Sequence, residues 1–156
     1  MLKKLTLLAG LLVSFHAAST DTVVSGKIWT VEYNTASAFY SAAKGEQEIT
    51  MECLLGDMTF ASNDDETGED FNSHDDKMFI VVDGIAYKPP VTLQERAKLY
   101  NTVLHASDSI QYRTASGLES KAYPVKELRQ FFQSIEFDLS DCKEGVWITL
   151  LPLIAP

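Results

Sequence analysis

Lys77-Met78-Phe79-Ile80-Val81-Val82-Asp83-Gly84-Ile85-Ala86-Tyr87 decides the fold. Two apolar runs flank Asp83-Gly84. Asp-Gly between such runs is the sequence of a type I′ turn, in which both central residues take positive φ. The stretch is therefore an antiparallel hairpin, and its neighbours follow suit. Upstream, Val23 to Tyr33 alternates and reads as one or two strands, with Trp29, Val31 and Tyr33 on the buried side and Ile28, Thr30 and Glu32 on the other. Thr35 to Lys44, rich in Ala and Ser, is a strand or a short helix. Glu48 to Leu55 is a strand with Ile49, Met51, Cys53 and Leu55 on one face, and Gly56-Asp57 turns it into Met58 to Ala61.

Downstream, Pro89-Pro90 punctuates the chain. Thr92-Leu93-Gln94-Glu95 matches a capping box, and Leu93, Ala97, Tyr100, Val103 and Leu104 recur at helical spacing, which predicts a helix from Leu93 to about Ala106. Ser109 to Ala115, Ser116-Gly117 and Leu118 to Tyr123 form a further hairpin. Pro124 opens a second helix whose apolar stripe is Val125, Leu128, Phe131, Phe132 and Ile135. Phe137 to Cys142 and Gly145 lead to a last strand, Val146 to Leu151. Strands come first and helices late. The fold class is mainly β with two helices (α+β), an antiparallel β-sandwich or curved sheet. Core packing is the default role of Trp29, Tyr33, Phe39, Tyr40, Phe79, Tyr112, Phe131 and Phe132.

The start has the pattern of an export leader. Met1-Leu2-Lys3-Lys4 is cationic, Leu5 to Phe15 is apolar, and His16 to Thr20 is rich in small residues, with cleavage after Ala18 or Ser19. Residues 1–19 are thus expected to be removed, leaving 20–156 as one globular domain in the periplasm or secreted. The apolar run is shorter than the roughly 20 residues a spanning helix needs. No later run is longer, so no integral membrane segment is expected in the mature chain. Loss of Lys3 and Lys4 leaves 11 basic against 22 acidic residues, a charge of −11. Such a surface repels nucleic acid and favours a basic protein partner, if it has one.

An oxidising compartment and an even cysteine count predict one disulfide, Cys53 to Cys142, with no CxxC redox site. Its closed loop of about 90 residues is worth on the order of 4 kcal/mol in the chain-entropy model. Catalytic motifs are missing: there is no G-x-S-x-G, no H-E-x-x-H and no Gly-rich phosphate loop. Besides His16 in the leader there are only His74 and His105, and both read as surface residues; the adjacency of Ser73-His74-Asp75 is not a triad, which forms by spatial convergence. No cofactor, metal or catalytic residue is assigned.

The most unusual segment is Asn63 to Asp76, in which seven of fourteen residues are acidic: Asp64, Asp65, Glu66, Glu69, Asp70, Asp75 and Asp76. It reads as a solvated loop and a candidate partner-binding element. It departs from the EF-hand pattern, because Gly68 is fifth from Asp64 and the twelfth position is Asp75.

An early Trp strand (Lys27-Ile28-Trp29-Thr30-Val31), a strand ending in Cys (Ile49-Thr50-Met51-Glu52-Cys53), the Val82-Asp83-Gly84 hairpin, and Ala122-Tyr123-Pro124-Val125-Lys126-Glu127-Leu128 followed by Cys142 occur in that order. In this the chain resembles the small periplasmic β-sandwich proteins of the invasion-associated locus B type and the type VI secretion-associated TagO-VasI type, over most of the mature chain. The resemblance implies a non-enzymatic accessory or binding role, associated with the envelope or a secretion system, and offers no catalytic residues. Three readings follow: an exported binding or accessory protein; an inhibitor or immunity protein against a cationic cell-wall hydrolase or toxin; and a small hydrolase, which requires His74 or His105 to meet carboxylates.

Overall fold

Alternation of large apolar and polar residues builds the first sheet. β1 (Thr22–Ser25), β2 (Trp29–Tyr33), β3 (Ser37–Lys44), β4 (Gln47–Leu54), β5 (Asp57–Asp64) and β6 (Phe71–Asn72) pair in chain order, each antiparallel to the next. The structure is a computed structural model describing residues 22–34, 36–54 and 57–134. Residues 1–19, Leu55, Ile135, Phe137, Cys142 and the expected strand Val146 to Leu151 lie outside them.

Three cross-strand rows make the inner face: Trp29-Ala42-Ile49-Ser62, Val31-Tyr40-Met51-Phe60 and Tyr33-Ala38-Cys53-Met58. All twelve residues are buried. The ambiguous Ala/Ser segment is strand β3. Its small residues explain why, since Ala42 and Ala38 stand beside Trp29 and Tyr33 and leave room for their rings. The same alternation turns Phe39 outward, where it is 36% exposed, so its expected core role is corrected. Consecutive strand residues cannot share a face, and Tyr40 takes the inner one.

The second sheet runs β10-β9-β7-β8, from β7 (Met78–Val82), β8 (Ile85–Tyr87), β9 (Ser109–Thr114) and β10 (Tyr123–Pro124). Asp83 (φ 48°) and Gly84 (φ 81°) form the expected turn between β7 and β8. The return leg after Ser116-Gly117 is largely irregular, not the full strand expected. An Arg113–Glu119 bridge and the Ser120 hydroxyl, which accepts from Tyr112 N at 2.8 Å, stand in for a ladder.

α1 (Leu93–His105) has the expected capping box, the Thr92 hydroxyl accepting from Glu95 N and the Glu95 carboxylate from Thr92 N. Its buried face is Arg96, Ala97, Leu99, Tyr100 and Val103; Leu93, expected in the stripe, is 45% exposed at the helix start. α2 (Lys126–Phe132) begins later than expected. Pro124 belongs to β10, an edge strand, where a missing N–H costs no ladder bond. Its carbonyl accepts from Trp29 Nε1 at 2.8 Å, and Val125 caps the helix.

The sheets and helices share one core. Edge-on ring pairs Tyr33–Tyr40, Tyr40–Phe132 and Tyr100–Phe132 link β2 and β3 through α2 to α1. Phe60–Tyr112 and Trp29–Tyr123 link the two sheets. Three of the tyrosine hydroxyls donate to backbone carbonyls: Tyr112 to Thr50 O (3.1 Å), Tyr123 to Gln47 O (2.8 Å) and Tyr33 to Phe131 O (3.1 Å). Burial, the largest influence, pushes the Tyr40, Tyr100 and Tyr112 hydroxyls up and Tyr123 to about 12, so all stay protonated. No helix among the described residues is long and apolar enough to cross a membrane.

Candidate functional site

The acidic segment is largely exposed, as its composition suggests, with only Asp64 and Phe71 buried, and it is built from two ordered turns. β5 carries the chain to Asp64, which is only 7% exposed. Asp64 Oδ1 accepts from Glu66 N (3.1 Å) and Thr67 N (3.2 Å), an Asx-type turn, while Oδ2 accepts from Gln47 Nε2 (3.0 Å). Burial acts to raise this carboxyl. The donors from Thr67, Glu66 and Gln47, and the Lys121 charge, outweigh it and hold the carboxyl below its ordinary range. Gly68 (φ 70°) closes the turn, donating to Asp64 O at 2.7 Å.

The chain then returns as β6. Phe71 is buried and anchors it. Asn72 organises a second turn: its Oδ1 accepts from His74 N (2.9 Å) and Asp75 N (3.0 Å), and its Nδ2 donates to Asp75 Oδ2 (2.9 Å). Asp76 Oδ2 accepts from Asn72 N at 3.1 Å, and Asp70 Oδ1 from Asp64 N at 3.2 Å. Of the seven acidic candidates, Asp64, Asp70, Asp75 and Asp76 thus hold the tip together. Asp65, Glu66 and Glu69 are exposed, and among the described residues no side-chain hydrogen bond ties down their carboxylates.

The outer face of the first sheet extends this acidity. It carries Glu32 on β2, Glu48 and Glu52 on β4 and Asp57 on β5, and no basic residue. One row runs Val23-Glu32-Phe39-Glu52-Thr59, and the next runs Ser25-Thr30-Ser41-Thr50-Ala61-Asn72. Among the described residues the one ion pair is Arg113–Glu119 at 3.6 Å, so the carboxylates of the face are uncompensated. Sequence reading missed Phe39 as a surface residue, whereas the face it assigned to Ile49, Met51 and Cys53 already left Glu52 on the opposite side. The signal was in the alternation of 37–44, once that segment is taken as a strand.

Elsewhere carboxylates are spent on backbone N–H groups. Glu127 on α2 accepts from Lys27 (2.9 Å), Ile28 (3.0 Å) and Trp29 (3.0 Å), and a Cβ at Gly26 would run into it. Asp83 accepts from Ser107, Asp108 and Ser109 N–H at 2.7–3.0 Å. Burial acts to raise the Glu127 carboxyl, but its three donors and the Lys27 charge hold it below the ordinary range; Asp83 is lowered chiefly by the Ser107 N–H.

Neither histidine meets a carboxylate among the described residues. His105 Nδ1 lies 2.7 Å from Asn101 O, and His74 is exposed on the tip. The Ser73 hydroxyl accepts from Phe60 N at 3.0 Å, a structural role. No group of three or more His, Cys, Asp or Glu is placed to hold a metal among the described residues. A groove of about 250 Å³ between the helices is lined by Leu104, Lys126, Arg129, Gln130 and Gln133. Cys53 is fully buried on the inner face of β4, and its expected partner Cys142 lies outside the described residues. Compared with protein-family models, characterised proteins and solved structures, the chain matches none.

Proposed function

We propose that this chain is an exported, non-catalytic binding protein that engages a basic protein through the acidic outer face of its first sheet and the adjoining tip. The observation that carries this reading is the four carboxylates of that face with no cation among them. Like charges gathered on one surface steer a complementary partner and raise its association rate. Residues 1–19 are the export leader in this reading. In this reading the two sheets form a sandwich closed by a Cys53–Cys142 disulfide, and no free thiol is found among the described residues. The accessory role implied by the invasion-associated locus B and TagO-VasI resemblance belongs to the same proposal.

The ordered tip favours one special case, an inhibitor or immunity protein against a cationic cell-wall hydrolase. An element held by Asx turns loses little entropy on entering a cleft. The test is titration of the purified chain with a cationic hydrolase such as lysozyme. The comparison is a variant carrying Glu32→Gln, Glu52→Gln, Asp65→Asn, Glu66→Gln and Glu69→Gln. Binding of the parent and at least tenfold weaker binding of the variant are expected. Equal binding by the two would remove the acidic surface as the binding element.

A further inference from the structure

The centre of the acidic face has a more specific geometry than charge alone. Glu32, Phe39 and Glu52 lie side by side in one cross-strand row, on β2, β3 and β4. Neighbours in such a row stand about 5 Å apart, so the two carboxylates bracket the ring at roughly 10 Å from each other. Phe39 is 36% exposed on this face, although its neighbour Tyr40 is fully buried. Among the described residues neither glutamate is held by an ion pair or a side-chain hydrogen bond, in contrast to Glu95 and Glu127. The adjacent row on one side, Thr30-Ser41-Thr50, is short and hydroxylated.

We infer that Glu32, Phe39 and Glu52 form a platform that captures an arginine side chain of a basic protein partner. A guanidinium is planar and weakly hydrated. It stacks on an aromatic face while its N–H groups fork toward carboxylates at its edge. A lysine ammonium has no plane to stack and gains less here. Charge complementarity selects the occupant: the face has four carboxylates and no cation, which excludes an acidic or neutral partner as the favoured one. The inference rests on the acidic-surface reading above and names the residue type that surface reads.

The probes are octa-arginine and octa-lysine peptides, titrated at low salt against the purified chain. Wild type is expected to prefer arginine over lysine. Phe39→Ala should weaken octa-arginine binding about threefold and abolish that preference. Phe39→Leu keeps apolar bulk without the ring's quadrupole. It should behave as Phe39→Ala does, and it replaces that variant if the latter does not fold by circular dichroism. The pair Glu32→Gln, Glu52→Gln should cost about fivefold. Octa-arginine binding that survives all these changes, yet is lost when Asp65, Glu66 and Glu69 are neutralised, would overturn the platform and leave the acidic-surface reading standing. No binding of either peptide to wild type would overturn both.

Discussion

The outer face of the meander sheet and the helix layer both carry glutamates, and the two regions use them in opposite ways. On the helix layer, Glu95 caps α1 and Glu127 fills the backbone N–H groups of residues 27–29. On the sheet face, Glu32, Glu48, Glu52 and Asp57 have no ion-pair partner among the described residues. A carboxylate saturated by backbone donors is structural, and one left facing solvent beside an exposed ring is available. Composition alone does not separate the two. The acidic tip contains both kinds, with Asp64 buried and bonded while Asp65 and Glu66 are exposed.

The contrast can be broken in order of expected effect. The largest lies beneath both regions. Trp29→Ala removes a fully buried indole and its bond to Pro124 O, and should cost about 4 kcal/mol in denaturant unfolding. A loss below about 1 kcal/mol would show that the two sheets do not share this core. Next, Glu127→Ala should cost on the order of 2 kcal/mol at neutral pH, after allowance for solvent screening of a partly exposed group. The folded Glu127 carboxyl is held below its ordinary range. Its contribution is therefore present above that range and is lost as pH falls through the depressed folded value. The gap between wild type and variant should close in acid, and a gap independent of pH would remove the charged clamp. Gly26→Ala, which pushes the carboxylate off its donors, should mimic the neutral-pH loss in part. Smallest, Glu32→Gln with Glu52→Gln should change stability by less than about 0.5 kcal/mol. A larger destabilisation would place these carboxylates among the structural ones.

Local chemistry was legible in the sequence. Asp83-Gly84 needs positive φ at both positions, and only a few residue pairs supply it. Thr92 and Glu95 cap each other across three residues. The alternation of Trp29, Val31 and Tyr33 with Thr30 and Glu32 placed one face inward, as found. What depends on distant partners was not legible. The order of the tip relies on Gln47, 17 residues from Asp64, and the Glu127 clamp spans 98 to 100 residues. Seven carboxylates in fourteen residues suggested solvent, yet Asp64 and Phe71 are buried. Phe39 was misplaced because Ala and Ser neighbours suit a helix as well as a strand, and only the strand turns it outward.

The most direct test of the acidic surface is the association rate of the chain with lysozyme, followed by stopped flow as salt rises from about 10 to about 150 mM. A steered encounter predicts a fall of about tenfold for wild type. The variant neutralised at Glu32, Glu52, Asp65, Glu66 and Glu69 should start slower and show a flatter slope. Parallel slopes for the two proteins would contradict the account.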